Sequence, residues 1–294
     1  TPTVHLKALT WGPDDGPIAL CLHGFPDTAH GFRTIAPALV AAGYRVVAPF
    51  MRGYAPSSLP TDRSYHLGAL MDDALQVRSA LNPTDADVVI GHDWGAVAAT
   101  GLAAMPDTPF RKAVVMSVPP AAALRAHRVP PAGLAALLPR QLLRSWYMSY
   151  FQLPIAPERS GSWIVPLLWR RWSPGYDATE DLRHVEAAIG SPDRWRAALG
   201  TYRANLRSVV STRLPPGGPP PRYAELHRWW TQRPRIPTLY LHGADDGCMT
   251  AAFTAYVGEA LPAGSQTAVV AGAGHFLHLE RPDDVAARIV AFLG

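Results

Sequence analysis

The sequence predicts an α/β protein: a mostly parallel sheet flanked by helices, with a helical lid inserted late in the chain. Three observations carry this. Short apolar runs alternate with helical patterns over the first third, the rhythm of a parallel sheet whose crossovers are helices. Residues 87–104 read as strand, sharp turn and helix in direct succession. Residues 120–235 differ from what flanks them: they hold 15 of the 30 prolines, seven of the nine tryptophans, and 17 arginines against seven acidic residues.

Only residues 4–11 precede the first strong apolar run at 18–22, which leaves room for a single strand before it. A helix is expected over about 28–42, a strand over 45–49 and a helix over 66–81. Residues 87–90 form a short buried strand running into Gly91, and 96–104 is a run of small residues with helical propensity. A strand at 113–116 ends before Pro119-Pro120, and the pattern resumes with strands at 238–241 and 266–270 and a last helix from Pro282. The expected division is a core of residues 1–119 and 236–294 and a helical cap of residues 120–235, left through the proline-rich stretch 214–222.

The 294 residues, 48% apolar and 17% charged, are enough for a globular protein with a sizeable core. No apolar run approaches the roughly 18 residues of a membrane span, and Thr1-Pro2-Thr3-Val4-His5 lacks the basic and apolar regions of a signal peptide, so a cytoplasmic protein is expected. Cys21 and Cys248 are too few for a disulfide framework or a zinc site, and neither is expected to have a function. The net charge of +4 comes from 25 arginines and two lysines without any nucleic-acid-binding module, so no nucleic-acid partner is expected; the basic lid is expected to dock on the mildly acidic core.

Chemistry is concentrated in Gly91-His92-Asp93-Trp94-Gly95. The frame is that of a nucleophile elbow, with aspartate where a hydrolase usually has serine. A carboxylate with a reference pKa of about 3.9 is already an anion at neutral pH and suits displacement at saturated carbon. The glycines allow the strained turn and the close passage of helix over strand, and the free N–H groups of the helix start point at Asp93.

This strand–elbow–helix resembles that of the α/β-hydrolase fold, in which acid and histidine follow the nucleophile on loops after late strands. After the strand at 237–241 comes His242-Gly243-Ala244-Asp245-Asp246, and after the strand at 266–270 comes Ala271-Gly272-Ala273-Gly274-His275. Asp246 is the expected acid, with Asp245 the alternative, and His275 the expected base. An acid after the strand ending near Ser117 is not expected, because no carboxylate occurs between Asp107 and Glu158. His23-Gly24-Phe25-Pro26 follows the strand at 18–22, which makes the backbone N–H groups of Phe25 and Trp94 the candidate oxyanion-hole donors.

Together, His23-Gly24-Phe25-Pro26, Arg52-Gly53-Tyr54, Gly91-His92-Asp93-Trp94-Gly95, Gly243 with Asp246, and Gly274-His275 resemble the epoxide hydrolases of the α/β-hydrolase superfamily over nearly the whole chain. The resemblance implies an epoxide hydrolase with two lid tyrosines that hydrogen-bond the epoxide oxygen. One lies four residues before the Phe of Tyr-Phe-Gln, here Tyr147 ahead of Tyr150-Phe151-Gln152; the other sits in Tyr-Arg-x-Asn, here Tyr202-Arg203-Ala204-Asn205. It implies water and a small apolar epoxide as reactants, neither metal nor organic cofactor, and a monomer or homodimer. One departure is Phe50 ahead of Met51-Arg52-Gly53-Tyr54, where the family usually has aspartate, and it bears on substrate shape.

The rival reading is a haloalkane dehalogenase, which shares the elbow and the histidine-activated water. Such enzymes often place Asn after the His-Gly of the early loop, where this chain has Phe25, and a fluoroacetate-type dehalogenase carries Arg where Trp94 stands. A non-catalytic ligand-binding protein on the same fold is a rival from another class, against which the intact triad speaks. The seven lid tryptophans are expected to contribute an apolar pocket wall as well as the lid's own core.

Overall fold

The computed structural model describes residues 1–125, 131–210 and 218–294. Seven strands form one sheet: β1 (Ala8–Trp11), β2 (Ile18–Leu22), β3 (Arg45–Pro49), β4 (Val88–His92), β5 (Lys112–Met116), β6 (Thr238–Gly243) and β7 (Gln266–Val270). Their order is β1-β3-β2-β4-β5-β6-β7, parallel except for β1, which pairs antiparallel with β3. β2, β4 and β6 are buried along their whole length, as apolar runs covered on both faces should be. The two edge strands are half exposed.

The order reverses between β2 and β4, because the chain leaves β2 toward β3 on one side and returns to β4 on the other. Crevices at such switch points, beyond the carboxyl ends of the strands, are where open α/β sheets bind ligands. Here Leu22 pairs with Gly91, so the His23–Phe25 loop and Asp93 emerge side by side.

The helix expected over 28–42 is broken into a 3₁₀ turn, Ala29–Thr34, and a helix, Ala36–Ala41. Pro37 has no N–H to continue a helical ladder and starts a new helix instead. Thr28 caps the first piece by accepting the His30 N–H at 3.3 Å.

Between β5 and β6 lie the lid helices, chiefly Trp146–Tyr150, Gly161–Trp172, Thr179–Ile189 and Pro192–Val210. Residues 214–217 of the expected proline-rich exit lie outside the described residues. Among the described residues no lid arginine pairs with a core carboxylate; they reach core carbonyls instead: Arg144 donates to the Asp246 oxygen at 2.7 Å and Arg194 to that of Gly53 at 3.2 Å. Ion pairs across the junction run the other way, from core Arg33 to lid Asp181 at 2.7 Å and to lid Glu180 at 3.2 Å. Among the described residues no helix is long and apolar enough to cross a membrane.

Candidate active site

The elbow is strained and tightly enclosed. Asp93 has φ 52° and ψ −118°, in the left-handed half of backbone space, where a non-glycine residue costs about 1–3 kcal/mol and persists only if its surroundings hold it. They do so because both glycines are needed. A Cβ on Gly95 would fall on the Leu22 carbonyl oxygen, and one on Gly91 would fall on the Gly95 carbonyl oxygen. The helix Trp94–Ala104 therefore passes directly over the strands and lifts the carboxylate to the end of the sheet.

Asp93 Oδ1 accepts the Phe25 N–H at 2.8 Å. A side chain on Gly24 would collide with that carboxylate and with the Trp94 nitrogen, so glycine is what lets the two expected donor loops close on Asp93. Asp93 Oδ2 lies 3.6 Å from His275 Nε2.

His275 Nδ1 in turn meets Asp246 Oδ2 at 3.0 Å. Asp246 is buried, whereas Asp245 is exposed and engages the loop through its backbone, its N–H donating to the Ala273 carbonyl at 2.9 Å. The second oxygen of Asp246 accepts the N–H groups of Cys248 (2.7 Å) and Met249 (2.9 Å), which fixes the carboxylate plane. Burial opposes a charge on His275, but Asp246 and Asp93 outweigh it and push its pKa up to about 10.

Three residues without an expected role hold the His275 backbone. Its carbonyl accepts from Ser117 Oγ at 2.6 Å and from His92 Nε2 at 2.9 Å, and its N–H donates to the Trp172 carbonyl at 3.0 Å. Burial, with His278 and His275 beside it, keeps the His92 pKa well below the ordinary value, consistent with a neutral ring donating through Nε2. His92 was visible as the variable residue of the elbow, but nothing local marks a contact with residue 275.

Tyr147 and Tyr202 are both buried, and their rings meet edge to face at 5.8 Å. They line one cavity of about 220 Å³ with Asp93, Trp94 and an apolar wall that includes Val97, Leu124, Met148, Leu206 and Trp230. The Tyr147 hydroxyl lies 3.4 Å from Cys248 Sγ. The Tyr202 hydroxyl and the Trp94 indole N–H approach one another without a hydrogen bond of normal geometry. Burial, with Asp93 close by, holds both tyrosines well above their usual range, so they are neutral donors.

Two placements go beyond the sequence reading. Cys248, which carries no functional signal in the sequence, is buried, borders the cavity, and touches both Asp246 and Tyr147. The lid tryptophans are not the pocket wall, since of the seven only Trp230 lines the cavity. Trp169 and Trp195 are buried and bonded to the carbonyls of Pro26 and Pro157 at 2.8 and 2.7 Å, while Trp163 is 51% exposed. Burying an indole calls for a partner for its N–H, and those backbone carbonyls supply one away from the cavity.

A larger depression of about 660 Å³ lies among the lid helices, lined by residues such as Val165 and Ile189, and carries none of the expected site residues. Among the described residues two sets of donor atoms lie within 4.8 Å of one another. Asp246, Cys248 and His275 are occupied by the contacts above. In the other set, Asp27 Oδ2 lies 3.8 Å from His92 Nδ1 and 3.7 Å from His278 Nε2.

A family model for the α/β-hydrolase fold matches residues 17–157. The chain is 33% identical over 208 residues to an AB hydrolase superfamily protein of Bacillus subtilis, covering 69% of each. It is 28% identical to epoxide hydrolase A of Mycobacterium tuberculosis, over 100% of this chain and 95% of that one. An epoxide hydrolase structure from Vigna radiata superposes with TM-score 0.74 at 22% identity, over 99% of this chain and 94% of that one, a likeness of fold. The chain belongs to the α/β-hydrolase superfamily.

Proposed function

We propose that the protein opens an epoxide to a vicinal diol through an ester on Asp93. The observation that carries this is the pair of buried tyrosine hydroxyls in the same cavity as a carboxylate that already has a base and an oxyanion donor beside it. Similarity to epoxide hydrolase A of Mycobacterium tuberculosis over the whole chain supports it.

Asp93 Oδ1 is held by Phe25, so Oδ2 is the attacking oxygen. It forms a bond to an epoxide carbon as the C–O bond breaks, and Tyr147 or Tyr202 donates a proton to the departing oxygen. Esterification removes the Asp93 charge, one of the influences that raise the His275 pKa. His275 then returns its proton to the tyrosinate and becomes a neutral base. It next takes a proton from water as the water oxygen adds to the ester carbonyl carbon. The oxyanion on Oδ1 is stabilised by the Phe25 and Trp94 N–H groups, each worth roughly 100- to 1,000-fold in rate. Collapse breaks the ester bond, the new carboxylic acid passes its proton to the leaving alkoxide, and the diol departs with Asp93 ionised and His275 protonated, as at the start.

A second reading, dehalogenation, draws on the Trp94 indole N–H, which borders the same cavity and suits a halide. One experiment separates the two. The wild type and His275→Ala are incubated with aryl or alkyl epoxides and with haloalkanes, and product and intact mass are recorded. The expected result is diol from the wild type and a stalled adduct on Asp93 in the variant. Halide release with no diol from any epoxide would overturn the epoxide reading, and binding without turnover of either would make the protein a receptor.

A further inference from the structure

Five of the seven large hydrophobic side chains exposed among the described residues fall in one stretch of the lid: Leu142, Leu143, Leu153, Ile155 and Trp163. Leu142 and Leu143 are 71% and 77% exposed, which is unusual for adjacent leucines of a helix. The helix Trp146–Tyr150 turns Tyr147 into the cavity and leaves Trp146 and Tyr150 half-exposed on its outer side. Their rings are 6.0 Å apart, Tyr150 is 6.2 Å from Trp163, and the Arg171 guanidinium lies 5.9 Å from the Trp146 ring centre. Leu143, Trp146 and Arg171 share one open depression, and the Leu153 N–H is bonded to the Tyr150 carbonyl at 3.0 Å. Through these contacts Leu143, Trp146, Tyr150, Trp163 and Arg171 adjoin one another, with Leu142, Leu153 and Ile155 close by in sequence.

The surrounding stretch of the lid is basic. Residues 139–174 carry five arginines and one acid, Glu158, which Arg203 neutralises at 2.6 Å. Arg140, Arg159, Arg170 and Arg171 are exposed, and among the described residues none of them makes an ion pair. One exposed acid, Asp245, borders the depression.

We propose that this face of the lid docks on an anionic lipid surface. Leucine and tryptophan enter the boundary between headgroups and acyl chains, tyrosine and tryptophan favour that level, and guanidinium groups attract anionic headgroups. Apolar burial and charge attraction together give attachment that neither gives alone. A second copy is the poorer occupant, because a two-fold contact through this face would bring the same unpaired arginines together. If the proposed epoxide chemistry holds, the surface would also bring lipid-dissolved substrate to the helix that carries Tyr147; the docking itself does not depend on that chemistry.

The test is co-sedimentation of the full chain with vesicles of phosphatidylcholine alone and of phosphatidylcholine with about a third phosphatidylglycerol. Binding is expected to the anionic vesicles, weakening as salt rises. Arg170→Gln with Arg171→Gln should lower partition roughly tenfold or more, and Leu142→Gln with Leu143→Gln should do the same. The variants' thermal melts should match the wild type, which shows that they fold without invoking any enzymatic activity. Absence of binding to either vesicle, or equal binding to both, overturns the proposal. So does a concentration-dependent dimer, seen by sedimentation velocity without lipid binding, that the leucine variants dissolve.

Discussion

The sheet side and the lid side meet the cavity with different kinds of polar group. On the sheet side every catalytic candidate is fixed by several contacts: Asp93 by Phe25 and His275, His275 by Asp246 and three backbone anchors, Asp246 by two N–H groups. On the lid side, among the described residues, the Tyr147 hydroxyl meets only a thiol and the Tyr202 hydroxyl makes no normal hydrogen bond. In the proposed reaction, the groups that must keep one geometry through both steps are the ones built into the sheet, and the groups that would give a proton to an incoming molecule are the ones left with donor capacity to spare.

That contrast can be broken in stages. Asp93→Ala removes the nucleophile and should lower turnover by roughly 10⁴- to 10⁶-fold, with no adduct by mass spectrometry; appreciable residual turnover would mean that another group attacks. Asp246→Asn should cost about 10⁴-fold in the hydrolytic step by imposing the wrong tautomer on His275. Ester accumulation in a rapid-quench measurement would report it. Changing Tyr147 and Tyr202 to Phe together should slow epoxide opening by roughly 100- to 10,000-fold without ester accumulation, which separates lid from sheet defects; unchanged turnover would place the proton donor elsewhere.

Asp245→Asn is the control on the sheet side and should leave turnover unchanged, with stability altered by less than about 0.5 kcal/mol.

A separate effect is thermodynamic. His275 is raised in the folded state to about 10 from an ordinary value of 6.5, so its contribution to stability is fully present below about pH 6.5 and is lost as pH rises through 10. Denaturant melts from pH 6 to 10.5 should show this loss in the wild type and not in His275→Gln; equal slopes would mean that His275 is not protonated at rest.

How much was legible beforehand follows from range along the chain. The elbow was readable because its requirements sit in five consecutive residues, and even the choice of glycine at 91 and 95 follows from contacts that any such turn makes. The strands were readable because buried parallel strands are apolar throughout, yet β4 runs two residues past the expected end, to His92, since pairing with β5 continues to Met116. The helix expected over 28–42 failed at Pro37, a local signal outweighed by the apolar pattern around it. Ser117, His92 and Trp172 escaped notice because each meets His275 across 103 residues or more, and no short pattern records such a contact.

By itself the sequence determined the elbow with its candidate nucleophile, the order of the candidate partners and the loops that surround them, because backbone strain, glycine spacing and strand periodicity are local properties. Tertiary structure alone decided that Asp246 rather than Asp245 meets the histidine, that Cys248 borders the cavity, and that the tryptophans of the lid largely pack or face solvent instead of lining the site. Those outcomes depend on which way a side chain faces once distant segments meet, and burial is a property of the packed whole.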